Sequence, residues 1–152
     1  MVLADRQADA WCLADGACVV TQGLLERVGA SDDHLAAALA HELAHTLRGH
    51  AAERLALLRQ TGAPAAPADW LMQPYSRVHE VEADRLGVEL LVRAGFDPSA
   101  PLGFWEGIRE GASGTLVVPF SARHPVTPSQ LRDLTLYADR LEPLKPRVPA
   151  NR

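Results

Sequence analysis

The pentapeptide His41-Glu42-Leu43-Ala44-His45 constrains this 152-residue chain more than any other feature. Its two histidines, four residues apart, share a face only on an α-helix, where they stand one turn above each other. There the imidazoles can grip a single zinc ion. The glutamate beside the first histidine then faces the metal's open position, where it can take a proton from water. The plain alternative is a solvated helix face carrying two unrelated histidines. The flanking residues favour the helix. Ser31-Asp32-Asp33 reads as a cap followed by acids in the first turn. Leu35, Ala38, Leu39, Ala40, Leu43, Ala44 and Leu47 then keep helical spacing, Leu55 and Leu58 can extend it, and Thr61-Gly62 before Pro64 stops it. Small Ala36, Ala37, Ala40 and Ala44 let other elements approach closely, and Gly49 marks a point where the helix can break.

The length suits one domain with one core, expected over about 9–142 within a single 1–152 unit, with 143–152 as a loose, proline-containing tail. Hydrophobic content of 47% beside 22% charged residues describes a globular chain. A net charge of −4 without a basic stripe gives no footprint for nucleic acid. No apolar run is long enough to span a bilayer, and the first residues lack a signal-peptide pattern. The chain therefore reads as soluble as given, and it could equally be a domain cut from a longer protein. Cys12 and Cys18 are too few for a disulfide scaffold. They could face each other across a hairpin, but the reading adopted is a reduced pair of small apolar residues, which leaves the redox compartment open.

In chain order, residues 1–8 read as a lead-in. Trp11-Cys12-Leu13, a turn at Ala14-Asp15-Gly16, and Ala17 to Thr21 form a β-hairpin, and Gly23 to Val28 a short helix. After the motif helix, Gly62 to Ala68 is a proline–alanine loop. A second long helix covers about Pro74 to Ala94 and stops at Gly95, with Val78, Val81, Leu86, Val88, Leu90, Leu91 and Val92 as its apolar surface. A third follows Asp97-Pro98 and turns Phe104, Trp105 and Ile108 inward. Gly111 to Phe120 is loop-like, with Thr115 to Val118 able to pair as a strand. The last helix starts at Thr127-Pro128 with Gln130 completing a capping box, and Leu131, Leu134, Ala138 and Leu141 make its stripe. The expected fold is α+β and mostly helical, with a small β-hairpin or sheet packed on the motif helix.

A hydrolytic zinc site takes three protein ligands, so a third must come from outside the motif. His34, His50, His79, His124, Glu80, Glu82 and Asp84 are the candidates. On the second helix, Glu80 and Asp84 share a face by their spacing and Glu82 points away. Glu80 can therefore reach the metal while Asp84, a turn later, reaches the outer nitrogen of a metal-bound histidine.

The pair His41-Glu42-Leu43-Ala44-His45 and Glu80-Val81-Glu82-Ala83-Asp84 resembles the signature of the HtpX-like zinc peptidases, a gluzincin group that includes the CAAX prenyl proteases, the mitochondrial Oma peptidase and the periplasmic protease BepA. The stretch from Asp9 to Leu25 is similar to the hairpin and turn that precede the motif helix in that family, and Arg123-His124-Pro125 resembles its His-Pro element. The likeness covers about residues 9–140.

This resemblance implies a zincin-like metallopeptidase domain that binds one Zn2+ per chain through His41, His45 and Glu80. It implies Glu42 as general base, Asp84 behind a ligand, and His124 as a resting metal ligand or an oxyanion donor. Arg132 is a looser match to an arginine that follows the His-Pro element. His34, His50 and His79 have no family role and read as surface or packing residues. The strand Val19-Val20-Thr21 resembles an edge strand onto which an extended peptide docks. The implied activity is endopeptidase cleavage of unfolded or extended protein, as in protein quality control. The implied location is the bacterial cell envelope or periplasm rather than the cytoplasm, with any membrane association arising in regions outside this chain. A zinc-stabilised binding or chaperone-like module without activity is the rival reading. Glu42 speaks against it, because a structural site needs no base.

Overall fold

A computed structural model describes residues 1–13, 15–29, 31–60, 62, 74–110 and 119–146. The motif helix, α2 (Asp32–Arg48), is the centre of the arrangement. Ser31 caps it by accepting from the His34 amide, and Asp32 and Asp33 occupy its first turn. The chain then breaks at Gly49, whose φ of 71° lies in the left-handed region that a side chain disfavours. A separate helix, α3 (His50–Gln60), starts at the next residue. The single long helix is thus two, divided at the one glycine in its span.

The second long helix, α4 (Arg77–Ala94), is capped by Ser76 and closed by Gly95. It begins three residues later than Pro74 because the Ser76 hydroxyl accepts from the His79 amide and fixes the start there. α2 and α4 form the most extensive contact between elements. Gly87 makes this possible: a Cβ there would already lie 3.4 Å from the His41 amide nitrogen. Ala37, Ala38, Ala40 and Ala44 are all buried on the other side of the seam. Not every apolar residue joins in, since Leu47 and Val78 are exposed.

The core closes with α5 (Ala100–Glu110), α6 (Pro119–Arg123) and α7 (Pro128–Leu141). Phe104, Trp105 and Ile108 are buried as expected, and Phe120 is fully enclosed among them. Thr127 and Gln130 form the capping box of α7, and Leu134 and Ala138 are buried. The five-residue α6 replaces the end of the expected loop. A piece that short has too few positions to show a period. The Thr115–Val118 strand, the Thr61 and Pro64 parts of the helix stop and the loop from Ala63 lie outside the described residues. The end of α7 runs into a 3-10 turn, Glu142–Leu144, so the first part of the expected tail is regular.

Ahead of α2 lie β1 (Val2–Leu3), β2 (Ala10–Cys12), β3 (Cys18–Thr21) and α1 (Gln22–Val28). The hairpin of β2 and β3 is the expected one, but the lead-in also forms a strand. β1 pairs in parallel with β3, with Val2 opposite Val20 and Leu3 opposite Thr21. The sheet order is therefore β1-β3-β2.

Two expectations need correcting. β3 is the central strand of this sheet, paired on both sides, so Val19, Val20 and Thr21 do not form an edge open to a peptide; all three are buried. Cys12 and Cys18 are joined in a disulfide rather than reduced. The hairpin register explains this. Bonds from Thr21 N to Asp9 O and from Leu13 N to Ala17 O leave Cys12 and Cys18 in a narrow, non-hydrogen-bonded pair, with Cα atoms 4.0 Å apart.

Candidate metal centre

α2 projects His41 and His45 toward α4, and each keeps less than 5% exposure. Their Nε2 atoms lie 3.1 Å apart. Glu80, from the first turn of α4, brings Oε2 to 3.4 Å from His41 Nε2 and Oε1 to 3.5 Å from His45 Nε2. His124 follows α6 and places Nδ1 3.2 Å from His41 Nε2 and 3.1 Å from Glu80 Oε1. The four donor atoms all fall within 4.8 Å of one another and all four residues are buried. Tetrahedral zinc with ligands at about 2.0–2.2 Å separates them by roughly 3.3–3.5 Å; two of these spacings fall in that range and the other three are a few tenths of an ångström shorter.

The charge balance also calls for a cation. Burial disfavours a proton on His41, but hydrogen bonds to Asp84 and Glu80 outweigh it and raise its pKa to about 10. Burial likewise opposes charge on Glu80, yet His124 and His41 hold its carboxyl down to about 2. His124 is raised because the Glu42 and Glu80 carboxylates outweigh its burial. His45 is pushed far down by burial and by the neighbouring imidazoles. Without metal, the proton held on His41 offsets part of the carboxylate charge. A divalent ion can take its place.

Around the donors the structure places a supporting layer. Asp84 Oδ1 accepts from His41 Nδ1 at 3.1 Å, and Gln130 Nε2 donates to Asp84 Oδ2 at 3.4 Å. Glu82 points away from the donors, as the helix spacing requires, and is half exposed. Glu42 is buried beside the cluster, and its Oε1 lies 3.0 Å from His124 Nε2. Apart from this approach, neither atom has a hydrogen-bond partner among the described residues. Two buried polar atoms with no other partner, 3.0 Å apart beside the donor cluster, suit a site that handles water or a substrate carbonyl.

Several neighbours were not legible beforehand. His50 sits 2.9 Å from His45 by their Nδ1 atoms and is 1% exposed, so it is no surface residue. The Tyr75 ring stacks on His45 with centroids 4.0 Å apart, just ahead of the Ser76 cap. Arg123 is buried and donates to Asp9 Oδ1 and to the Ala10 carbonyl. The looser candidate Arg132 is exposed. A break at Gly49 was the only available signal for His50. An ion pair spanning 114 residues, as between Asp9 and Arg123, leaves no local pattern. His79 pairs with exposed Glu53, and His34 packs under Gly103 of α5.

A match to peptidase family M48 runs over residues 1–138, nearly the whole chain. The chain belongs to peptidase family M48. Its relatives include the mitochondrial metalloendopeptidase OMA1 of Schizosaccharomyces pombe, 33% identical over 88% of this chain and 44% of that protein. The OMA1 of Saccharomyces cerevisiae is 29% identical over 85% of this chain and 43% of its own length. The beta-barrel assembly-enhancing protease of Escherichia coli K12 is 29% identical over 85% of this chain and 32% of its own. The chain thus spans less than half the length of the relatives it matches. Both the Oma and the BepA sides of the expected resemblance are borne out, as is a mostly helical α+β fold for an M48 domain. Among the described residues no helix is long and apolar enough to cross a membrane.

Proposed function

We propose that this chain is the catalytic domain of a zinc-dependent endopeptidase acting on unfolded or extended protein. The observation that carries the proposal is the buried set of His41, His45, Glu80 and His124 donors, all within 4.8 Å of one another, with the Glu42 carboxylate beside it. His41, His45 and Glu80 would hold one zinc, and Asp84 would orient His41 from behind. Zinc, when bound, supplies Lewis acidity, polarising a scissile carbonyl and bringing the pKa of water toward neutrality.

The chain's own residues do the rest. Glu42, whose Oε1 has no hydrogen-bond partner among the described residues beyond the approach of His124, accepts the proton of the attacking water and passes it to the leaving amine. His124, whose Nδ1 stands among the donors, would help hold the ion at rest and would have to withdraw for a substrate to enter. Its imidazole would then donate to the developing oxyanion. The Trp105 ring, edge-on to His41 with centroids 5.2 Å apart, walls the donors off on the core side. The partner implied is a peptide, with no nucleic acid. A location in the bacterial cell envelope rests on the family resemblance alone, since the OMA1 relatives are named as mitochondrial. A purely structural zinc module would not need a buried carboxylate with a bare oxygen.

The test is digestion of unfolded casein with and without a chelator, together with Glu42→Gln. This variant should keep one zinc per chain by elemental analysis and a native far-UV spectrum, and lose nearly all hydrolysis. An active Glu42→Gln protein would remove Glu42 from the base role.

A further inference from the structure

His41 has a carboxylate behind it at Nδ1, whereas His45, which meets Glu80 only through Nε2, has no carboxylate at its Nδ1 among the described residues. Its outer nitrogen meets another imidazole. His45 Nδ1 lies 2.9 Å from His50 Nδ1, and His50 Nε2 lies 3.1 Å from Glu82 Oε2. The order of protons along this line is fixed by chemistry. Glu82 is a carboxylate and can only accept, so His50 carries its proton on Nε2. A neutral His50 then has a bare Nδ1, which must accept from His45 Nδ1–H. That leaves His45 Nε2 without a proton, facing the other donors. The His79 ring stacks on His50 with centroids 4.3 Å apart and planes 14° from parallel, holding its orientation.

The backbone is built for this meeting. In an unbroken helix a residue five positions beyond His45 would point about 140° away from it. The left-handed turn at Gly49 ends α2 and starts α3 at His50, which brings the side chain back over His45. The same step leaves His50 at 1% exposure with both ring nitrogens in contact.

We propose that His50, backed by Glu82, is a positioning residue for His45: it holds the tautomer and ring angle that present Nε2 to the metal. This rests on the zinc reading of the site, and the experiment separates the two. Zinc affinity is measured by competition with a chromophoric chelator for wild type, Glu80→Ala, His50→Leu, His50→Asn and Glu82→Ala. Asn and Leu have similar size, but only Asn offers an oxygen near the position of Nδ1 to accept from His45. His50→Leu should weaken zinc by about 10–100-fold, His50→Asn should recover most of that loss, and Glu82→Ala should weaken it in the same direction by less. Glu82 is half exposed, so its removal is not expected to disturb the fold. In the zinc-loaded protein the His45 Nδ1–H proton should be visible by NMR in wild type and lost in His50→Leu. Equal affinity in Leu, Asn and wild type overturns the inference, as does equal weakening by Leu and Asn with no effect of Glu82→Ala. Wild type that binds no stoichiometric zinc overturns the metal site itself, a different result.

Discussion

His124 is the residue on which resting state and reaction are both proposed to turn. Its Nδ1 stands among the metal donors and its Nε2 faces Glu42. Because His41, His45 and Glu80 remain, His124→Ala should retain zinc by elemental analysis. Its kcat should fall by about a hundredfold or more at nearly constant KM, as for loss of an oxyanion donor. Wild-type kinetics would remove His124 from the chemistry. Glu80→Ala should do the reverse and lose most of the metal. At this scale the sequence announced what depends on helical spacing: the two motif histidines, and Glu80 and Asp84 on one face with Glu82 on another. It did not announce His50, because a left-handed residue resets the phase and periodicity is blind beyond it. Arg123 and Asp9 meet only through tertiary folding.

Elements were legible where their ends carry chemistry. Ser31 and Thr127 cap helices where their side chains say they should, whereas β1 has two residues, too few to alternate, and its pairing made β3 central instead of an edge. α5 offers a pH test. Asp97, ahead of its first turn, accepts from both the amide and the hydroxyl of Ser99. Burial raises its pKa, but these bonds and the Lys145 charge outweigh that and hold the carboxyl below its usual value. A depressed folded pKa contributes stability above the unfolded value of about 4, and loses it as pH falls through the folded one. Wild type should therefore exceed Asp97→Asn in Tm near neutrality, with the gap closing below about pH 4. A gap independent of pH would refute the charge argument. The hairpin offers a second test. The Cys12–Cys18 bond closes a short loop, so reduction should lower stability in urea by about 2 kcal/mol on the loop-entropy account. Identical curves with and without reductant would refute it.

For the molecule as a whole, sheet and donors meet at a single peptide bond. Arg123 ties down β2 through Asp9 and the Ala10 carbonyl, and the next residue, His124, reaches the donor cluster. Asp9→Asn leaves a buried guanidinium without its counter-charge and should destabilise the fold by about 3 kcal/mol or more. It should also quicken stripping of zinc by chelator beyond what a core change of equal stability loss, such as one at Ile108, produces. Equal stripping rates would show that the two regions move independently. If they are coupled, the residence time of the ion is governed in part by a carboxylate that never touches it. The sheet then acts as a clock for the metal.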